Sequence, residues 1–246
     1  MHILCCLARV PDTTTRIRVA ADGCTPDLKD AQWITNPWDE YALEAAVQLK
    51  EAVGGEVTVV HVGPVDFQKD LRAALAKGAD KAIQIQTTGP LGPHSIAALI
   101  AARVAKPDAI FLGKQSVDGD VGATGAFLAQ AYGLPVAGRV SALTFKDGSF
   151  SAHREIEGGV ETLTGNLPAV FTLDKGSIEP RRAGLKEIMA AKKKPLDVVQ
   201  AEPLPARLQV MRLELPRVRQ GGRIVGTGAA AVNELVRLLR DEAKAL

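Results

Sequence analysis

The run Asp108-Ala-Ile-Phe-Leu112 is apolar without alternation, the pattern of a strand buried on both faces, and at Gly113 the chain turns abruptly small and polar. A strand of this kind fits an α/β architecture, in which helices cover both faces of a parallel sheet. The residues that follow are Gly113, Lys114, Gln115, Ser116, Val117, Asp118, Gly119, Asp120, Val121, Gly122, Ala123 and Thr124, and they lead into an apolar segment, 126–132, that reads as a helix. Strand, small-residue loop and helix N-terminus together make a candidate anion site. Free backbone N–H groups and the positive end of the helix dipole favour a phosphate, and glycines allow close approach. The spelling is neither GxGxxG nor GxxxxGK(S/T), so it is neither a dinucleotide fingerprint nor a Walker A loop. Taken alone, it also reads as an ordinary strand-to-helix loop.

Upstream, strands and helices alternate. Residues 2–8 read as a central strand ending in a turn at 9–14, and residues 16–19 as a short edge strand. Asn36, Pro37, Trp38 and Asp39 have the grammar of a helix start, with Asn as N-cap and Pro at the first helical position. That helix places Ala42, Ala45, Ala46, Leu49, Ala52 and Val53 on one face and ends at Gly54-Gly55. Residues 56–62 form a second buried strand closing on Gly63-Pro64. A helix over 66–77 follows, with Phe67, Leu71, Ala74 and Leu75 inward and Gly78 at its C-cap. Residues 81–86 are a third strand and 93–105 the next helix. The order β-α-β-α-β-α-β-loop-α predicts a doubly wound parallel sheet with helices on both faces. Ligands bind such sheets beyond the carboxyl ends of the strands, where Cys6 to Arg9, Asn36, Val62 to Pro64 and the 113–124 loop would converge.

After Pro135 the texture becomes antiparallel. Residues 140–145 and 149–157 read as a hairpin around Lys146-Asp147-Gly148, Gly158-Gly159 as a further turn, and 167–173 as another strand. Residues 175–194 are basic and irregular. Pro195, Pro203, Pro205 and Pro216 punctuate an extended arm, and the chain closes on an amphipathic helix, 229–243, with Val232, Leu235, Val236 and Leu239 on one face. The expected organisation is an α/β domain over 1–195 and an arm with a helix over 196–246.

Composition narrows the function. A net charge of +2 over 246 residues, with 4% aromatics, predicts no general affinity for nucleic acid or membrane. Cys5, Cys6 and Cys24 form no CxxC motif, and Cys5 and Cys6 on one strand point to opposite faces as small buried hydrophobes. His2, His61, His94 and His153 lack metal-ligand spacing, and no Ser/His/Asp or Cys/His constellation is legible. Without a signal peptide or an 18-residue apolar span, a cytoplasmic setting is expected.

Three stretches carry a family resemblance: Asn36-Pro-Trp-Asp-Glu-Tyr-Ala-Leu-Glu44; Gly113-Lys-Gln-Ser-Val-Asp-Gly-Asp120 with Thr124-Gly125; and Arg154-Glu-Ile-Glu-Gly-Gly-Val-Glu161 through Leu167-Pro-Ala-Val170 to Glu179-Pro-Arg181, Leu185-Lys-Glu-Ile-Met189 and Lys192-Lys-Lys-Pro195. Together they resemble the β subunit of electron transfer flavoprotein from residue 1 to about 200. The resemblance implies a Rossmann-like, adenine-nucleotide-binding domain. It also implies a subunit that carries electrons and is not itself a substrate-converting enzyme. In this family an α subunit holds most of the electron-carrying FAD, the β subunit binds AMP, and electrons pass from dehydrogenases, such as acyl-CoA dehydrogenases, to a quinone reductase or another acceptor. By position, the nucleotide contacts fall at Cys6, Asn36, Pro37, Trp38, Asp39, Val62 and the residues from Gly113 to Thr124. Glu155 matches a glutamate facing the mobile flavin-bearing part of the α subunit. The segment near 181–194 resembles the recognition loop for dehydrogenases, with Leu185, Ile188 and Met189 as apolar anchor amid Arg181, Arg182, Lys186 and Lys192 to Lys194.

The spelling departs from the common AMP pattern, in which a run of acids is followed by Asn-Gln-Thr. Asp118-Gly119-Asp120 and Val10-Pro-Asp-Thr13 resemble electron-bifurcating relatives, in which a second FAD replaces AMP, whereas Thr124-Gly125 fits the AMP form. A universal-stress-type nucleotide-binding regulator would share the sheet but needs neither the chain after residue 150 nor the Leu185 segment. An adenylating enzyme would need an SGGxDS-like loop that Arg9-Val-Pro-Asp-Thr-Thr14 does not supply.

Overall fold

The computed structural model describes residues 1–63, 67–89, 91–176, 178–202, 204, 207–217 and 221–246. In chain order the elements are β1 (His2–Cys6), β2 (Arg9–Pro11), β3 (Arg18–Val19), β4 (Pro26–Asp27), β5 (Trp33–Thr35), α1 (Pro37–Val53), β6 (Glu56–Gly63), α2 (Gln68–Ala76), β7 (Lys81–Gln86), α3 (Pro93–Arg103), β8 (Ala109–Gly113) and α4 (Thr124–Tyr132). There follow β9 (Val136–Val140), β10 (Ala142–Lys146), β11 (Ser149–Ile156), β12 (Gly159–Asn166), β13 (Ala169–Leu173), α5 (Leu185–Ala191), β14 (Leu196–Gln200), a 3₁₀ turn (Ala229–Ala231) and α6 (Val232–Asp241).

The main sheet has seven strands in the order β14-β7-β6-β1-β8-β13-β9, and its pairings are all parallel. The expected doubly wound α/β class holds. Alternate residues of β1 face opposite layers. Ile3 and Cys5 join Ala42, Leu49, Leu71 and Phe67 on the α1/α2 face, while Leu4 and Cys6 join Ala97, Ile100 and Leu128 on the α3/α4 face. From β1 the chain runs outward to β6 and β7 and then returns through α3 to β8 on the other side of β1. The winding direction therefore reverses between β1 and β8, and the crevice above these two strand ends is where such folds bind ligands.

Several expectations need correction. Residues 169–173 are not part of an antiparallel set: β13 is a central parallel strand, buried throughout between β8 and β9. The separate antiparallel sheet is β10-β11-β12, in which β12, with its alternating Val160, Thr162 and Thr164, is a third strand beyond the expected hairpin. Phe171 fastens that sheet to the main one, stacked on Phe111 at 5.2 Å and met edge-on by Phe150 at 4.9 Å and Phe145 at 5.6 Å. The turn expected after β1 contains β2, which pairs with β5. The proline-rich arm contributes its first five residues, β14, to the sheet edge beside β7, and the basic stretch contains the short helix α5. Ala52 and Val53 end α1 in solvent rather than on its buried face. Asp66, expected to open the second helix, lies outside the described residues, as does Pro64.

Candidate functional site

Two side chains at the start of α1 tie the strand ends together. Asp39 is buried, and its Oδ2 accepts the Ala8 amide at 2.7 Å while Oδ1 accepts the Gly113 amide at 2.7 Å. One carboxylate thus spans the reversal point between β1 and β8. Burial pushes the Asp39 carboxyl up to about 7, against the two amide hydrogen bonds, which favour the charged form. Gly113 is required here, because a Cβ would lie 2.5 Å from Trp38 Cβ and 2.6 Å from Asp39 Oδ1.

Asn36 occupies the N-cap position of α1, but its side chain caps nothing in that helix. Its Nδ2 donates to the Gln115 carbonyl at 2.9 Å, and its Oδ1 accepts the Val117 amide at 3.3 Å. The side chain is buried against the 114–123 loop, whose backbone offers a donor and an acceptor together.

The loop satisfies most of its own polar side chains. Lys114 pairs with Asp174 at 2.9 Å and lies 4.2 Å from the Trp38 ring centroid, so this candidate anion contact already has two partners. Sequence reasoning missed Asp174, which lies far along the chain and carries no motif. Gln115 Nε2 donates to Asp120 Oδ1 at 2.7 Å, the Asp120 amide to the Ser116 carbonyl at 3.0 Å, and the Gly119 amide to Asp118 Oδ1 at 2.8 Å. Both acids are therefore occupied by donors of the loop itself.

Asp120 and Gly122 turn the chain with φ of 51° and 61°. Among the described residues, the amides of Val121, Gly122 and Ala123 donate to no protein acceptor. Thr124 then opens α4, whose first amides lack intrahelical partners. On the α3/α4 side, buried Cys6 and half-buried Val62 form the apolar floor; burial first, and Asp39 second, push the Cys6 thiol well up, holding it neutral. Pro37 is exposed at the first position of α1. The arrangement supplies unsatisfied amides on a glycine-bearing turn above a small apolar floor, which suits a phosphate ester attached to an apolar body.

A family model described as the electron transfer flavoprotein domain matches residues 28–204. The electron transfer flavoprotein subunit beta of Bradyrhizobium diazoefficiens is 37% identical over 255 aligned residues, covering 100% of both chains. That of Dictyostelium discoideum is 38% identical over 229 residues, 90% of this chain and 92% of the relative, and that of Sus scrofa 36% over 252 residues, 98% and 97%. The chain belongs to the electron transfer flavoprotein β-subunit family. It is thus one of a family of electron carriers, associated with flavin and paired with an α subunit.

In this electron transfer flavoprotein β subunit, the expected docking residues sit on α5. Leu185 is 78% exposed, Met189 55% and Ile188 45%, while Ala191 at the far end is buried as the anchor. The helix is fastened to α2 by Arg72, which donates to the Ala191 carbonyl at 2.8 Å and the Lys194 carbonyl at 2.6 Å. Two of the basic residues expected around the knob are committed elsewhere. Lys194 donates to the carbonyls of Leu75 and Ala79 at 2.9 and 2.6 Å, at the end of α2. Arg181 is clamped by Glu44 at 2.7 Å and Glu51 at 2.6 Å on α1. Arg182, Lys186, Lys192 and Lys193 remain exposed. Glu155 is exposed on β11, opposite Val160. The apolar side chains Val232, Leu235 and Val236 of α6 are exposed, while Leu238 is buried. Among the described residues, no helix is long and apolar enough to cross a membrane.

Proposed function

We propose that this β subunit holds AMP in the crevice above β1 and β8 and, with its α subunit, passes electrons from dehydrogenases such as acyl-CoA dehydrogenases to a quinone reductase or another acceptor in the cytoplasm. The observation that carries the nucleotide reading is the pinned loop: Asn36 and Asp39 hold residues 113–117 rigidly, while the amides of Val121 to Ala123 are left without acceptors beside the α4 N-terminus. A phosphate there is bound by backbone N–H groups with the Thr124 hydroxyl assisting, and Cys6 and Val62 offer apolar surface to the rest of the ligand. FAD, when bound mainly on the α subunit, supplies the electron storage. The role of this chain is to bind and orient. The exposed apolar residues of α6 and the arm, Leu208, Met211 and Ile224 among them, fit a surface covered by the α subunit, with Glu155 facing its flavin-bearing part. Leu185, Ile188 and Met189 form the apolar knob for the dehydrogenase.

A second FAD in place of AMP is favoured by one feature. The turn is lined by Gly119, Gly122 and Ala123, and a Cβ added at Gly119 would have nothing nearer than Val121 Cγ2 at 3.7 Å, which leaves room for a pyrophosphate. Denaturing the purified heterodimer and quantifying released FAD and AMP separates the two readings. One FAD and one AMP per complex is expected. Two FAD and no AMP identifies the bifurcating type, and one FAD without any nucleotide refutes the site.

A further inference from the structure

Building on the adenine-nucleotide reading above, we propose that His94 and Phe127 form the base-side wall of the crevice, an aromatic corner that takes the purine ring. The two rings meet edge to face, with centroids 5.4 Å apart and planes at 82°. They come from the first turns of α3 and α4, whose N-termini both lie at the carboxyl end of the sheet, because each helix follows a parallel strand of it. Phe127 stands three residues beyond Thr124, roughly one turn into the helix. Its neighbours Leu128 and Ala129 are buried, whereas Phe127 is 39% exposed: a large ring held at the surface beside a site that would take an aromatic base.

The chemistry of the crevice divides in the same way. The loop side offers amides and turns of small residues, which suit phosphate and present no flat apolar surface. The α3/α4 side presents Cys6 and Val62 on the floor, with Leu91 packed against the same cluster. An edge-to-face pair leaves ring faces free, and a purine prefers such a face or edge over aliphatic contact. The His94 ring nitrogens add hydrogen-bonding capacity toward the polar edge of the base.

The test uses the heterodimer stripped of nucleotide, titrated calorimetrically with AMP and with ribose 5-phosphate, which shares everything but the base. Phe127→Leu keeps an apolar side chain between α3 and α4 and removes the aromatic face, and His94→Leu does the same on the other helix. Each is expected to weaken AMP by about tenfold or more, the range of base–aromatic stacking, and to leave ribose 5-phosphate binding unchanged. Phe127→Tyr should restore AMP affinity. Equal losses for both ligands would show that the substitutions merely disturb the helix ends, and overturn the inference. So would unchanged AMP affinity in both leucine variants; if Gly122→Val then abolishes AMP binding, the nucleotide reading stands without the aromatic corner. AMP binding that also survives Gly122→Val overturns both.

Discussion

Asp39 on α1 and Gly113 at the end of β8 are joined by a 2.7 Å hydrogen bond, and a methyl group on Gly113 would lie 2.6 Å from the same carboxylate oxygen. The bond and the absent side chain are one design. The amide can reach the carboxylate only because nothing projects from the Cα. Gly113→Ala must push Asp39 and Trp38 away from the strand end, and overpacking of this kind costs about 1–3 kcal/mol. The expected outcome is a lower midpoint in denaturant unfolding together with reduced nucleotide content, since the loop origin shifts. A variant with wild-type stability and nucleotide content would show that the strand end is not held by this contact.

Gly122 sits at φ +61°, and a Cβ there would approach the Lys114 carbonyl at 3.2 Å. Gly122→Val therefore strains the turn and places a branched side chain beside the free amides. Nucleotide retention in the purified heterodimer should be lost, and thermal stability should fall with it, because a ligand bound only to the folded state stabilises by mass action. Full nucleotide content in this variant removes the assignment of the turn.

The Arg181–Glu44 pair links the foot of the docking segment to α1. Burial raises the Glu44 carboxyl, but the hydrogen bonds from Arg181 and Gln48 outweigh it and hold the group below its ordinary 4.5; the Arg181 hydrogen bond likewise holds Glu51 low. A depressed carboxylate contributes stability that is present above 4.5 and is lost as pH falls through the folded-state value. Arg181→Leu leaves the buried Glu44 with Gln48 but without its charged partner and should cost about 1–3 kcal/mol at neutral pH. In acid the difference between variant and wild type should shrink, as measured by urea unfolding from pH 7 to pH 3. A difference that is constant with pH would mean the pair is not what Arg181 contributes.

Leu185 and the lysines near it should affect docking in separable ways. Leu185→Ala removes an exposed apolar knob and is expected to weaken coupling to the dehydrogenase by ~2 kcal/mol, the scale of an interface hot spot, with flavin content unchanged. Neutralising Lys186, Lys192 and Lys193 together should lower the association rate and its salt dependence while leaving dissociation nearly unchanged. Lys194→Ala belongs to neither class, since it strips donors from the end of α2, and should lower stability instead. Dye reduction coupled through the dehydrogenase at several ionic strengths distinguishes the three. If Leu185→Ala couples as well as wild type, the knob is not the anchor.

What this sequence determined by itself is the part of the molecule set by local pattern. The unalternating run at 108–112, the proline at the start of α1 and the alternation of strands and helices specified a parallel α/β sheet, because burial on two faces and a proline at the first helical position are readable within a few residues. Strand partnership was decided only in three dimensions. Residues 169–173 are short and apolar, and nothing local shows whether such a strand pairs with the preceding hairpin or crosses back to lie beside β8. Long-range polar contacts were equally hidden. Asn36 sits where a cap belongs, yet its side chain serves residues 115 and 117, and Lys114 sits where an anion ligand belongs, yet it answers Asp174. A polar side chain takes whichever partner the folded chain brings nearest, and that is a property of tertiary geometry, not of spacing along the sequence.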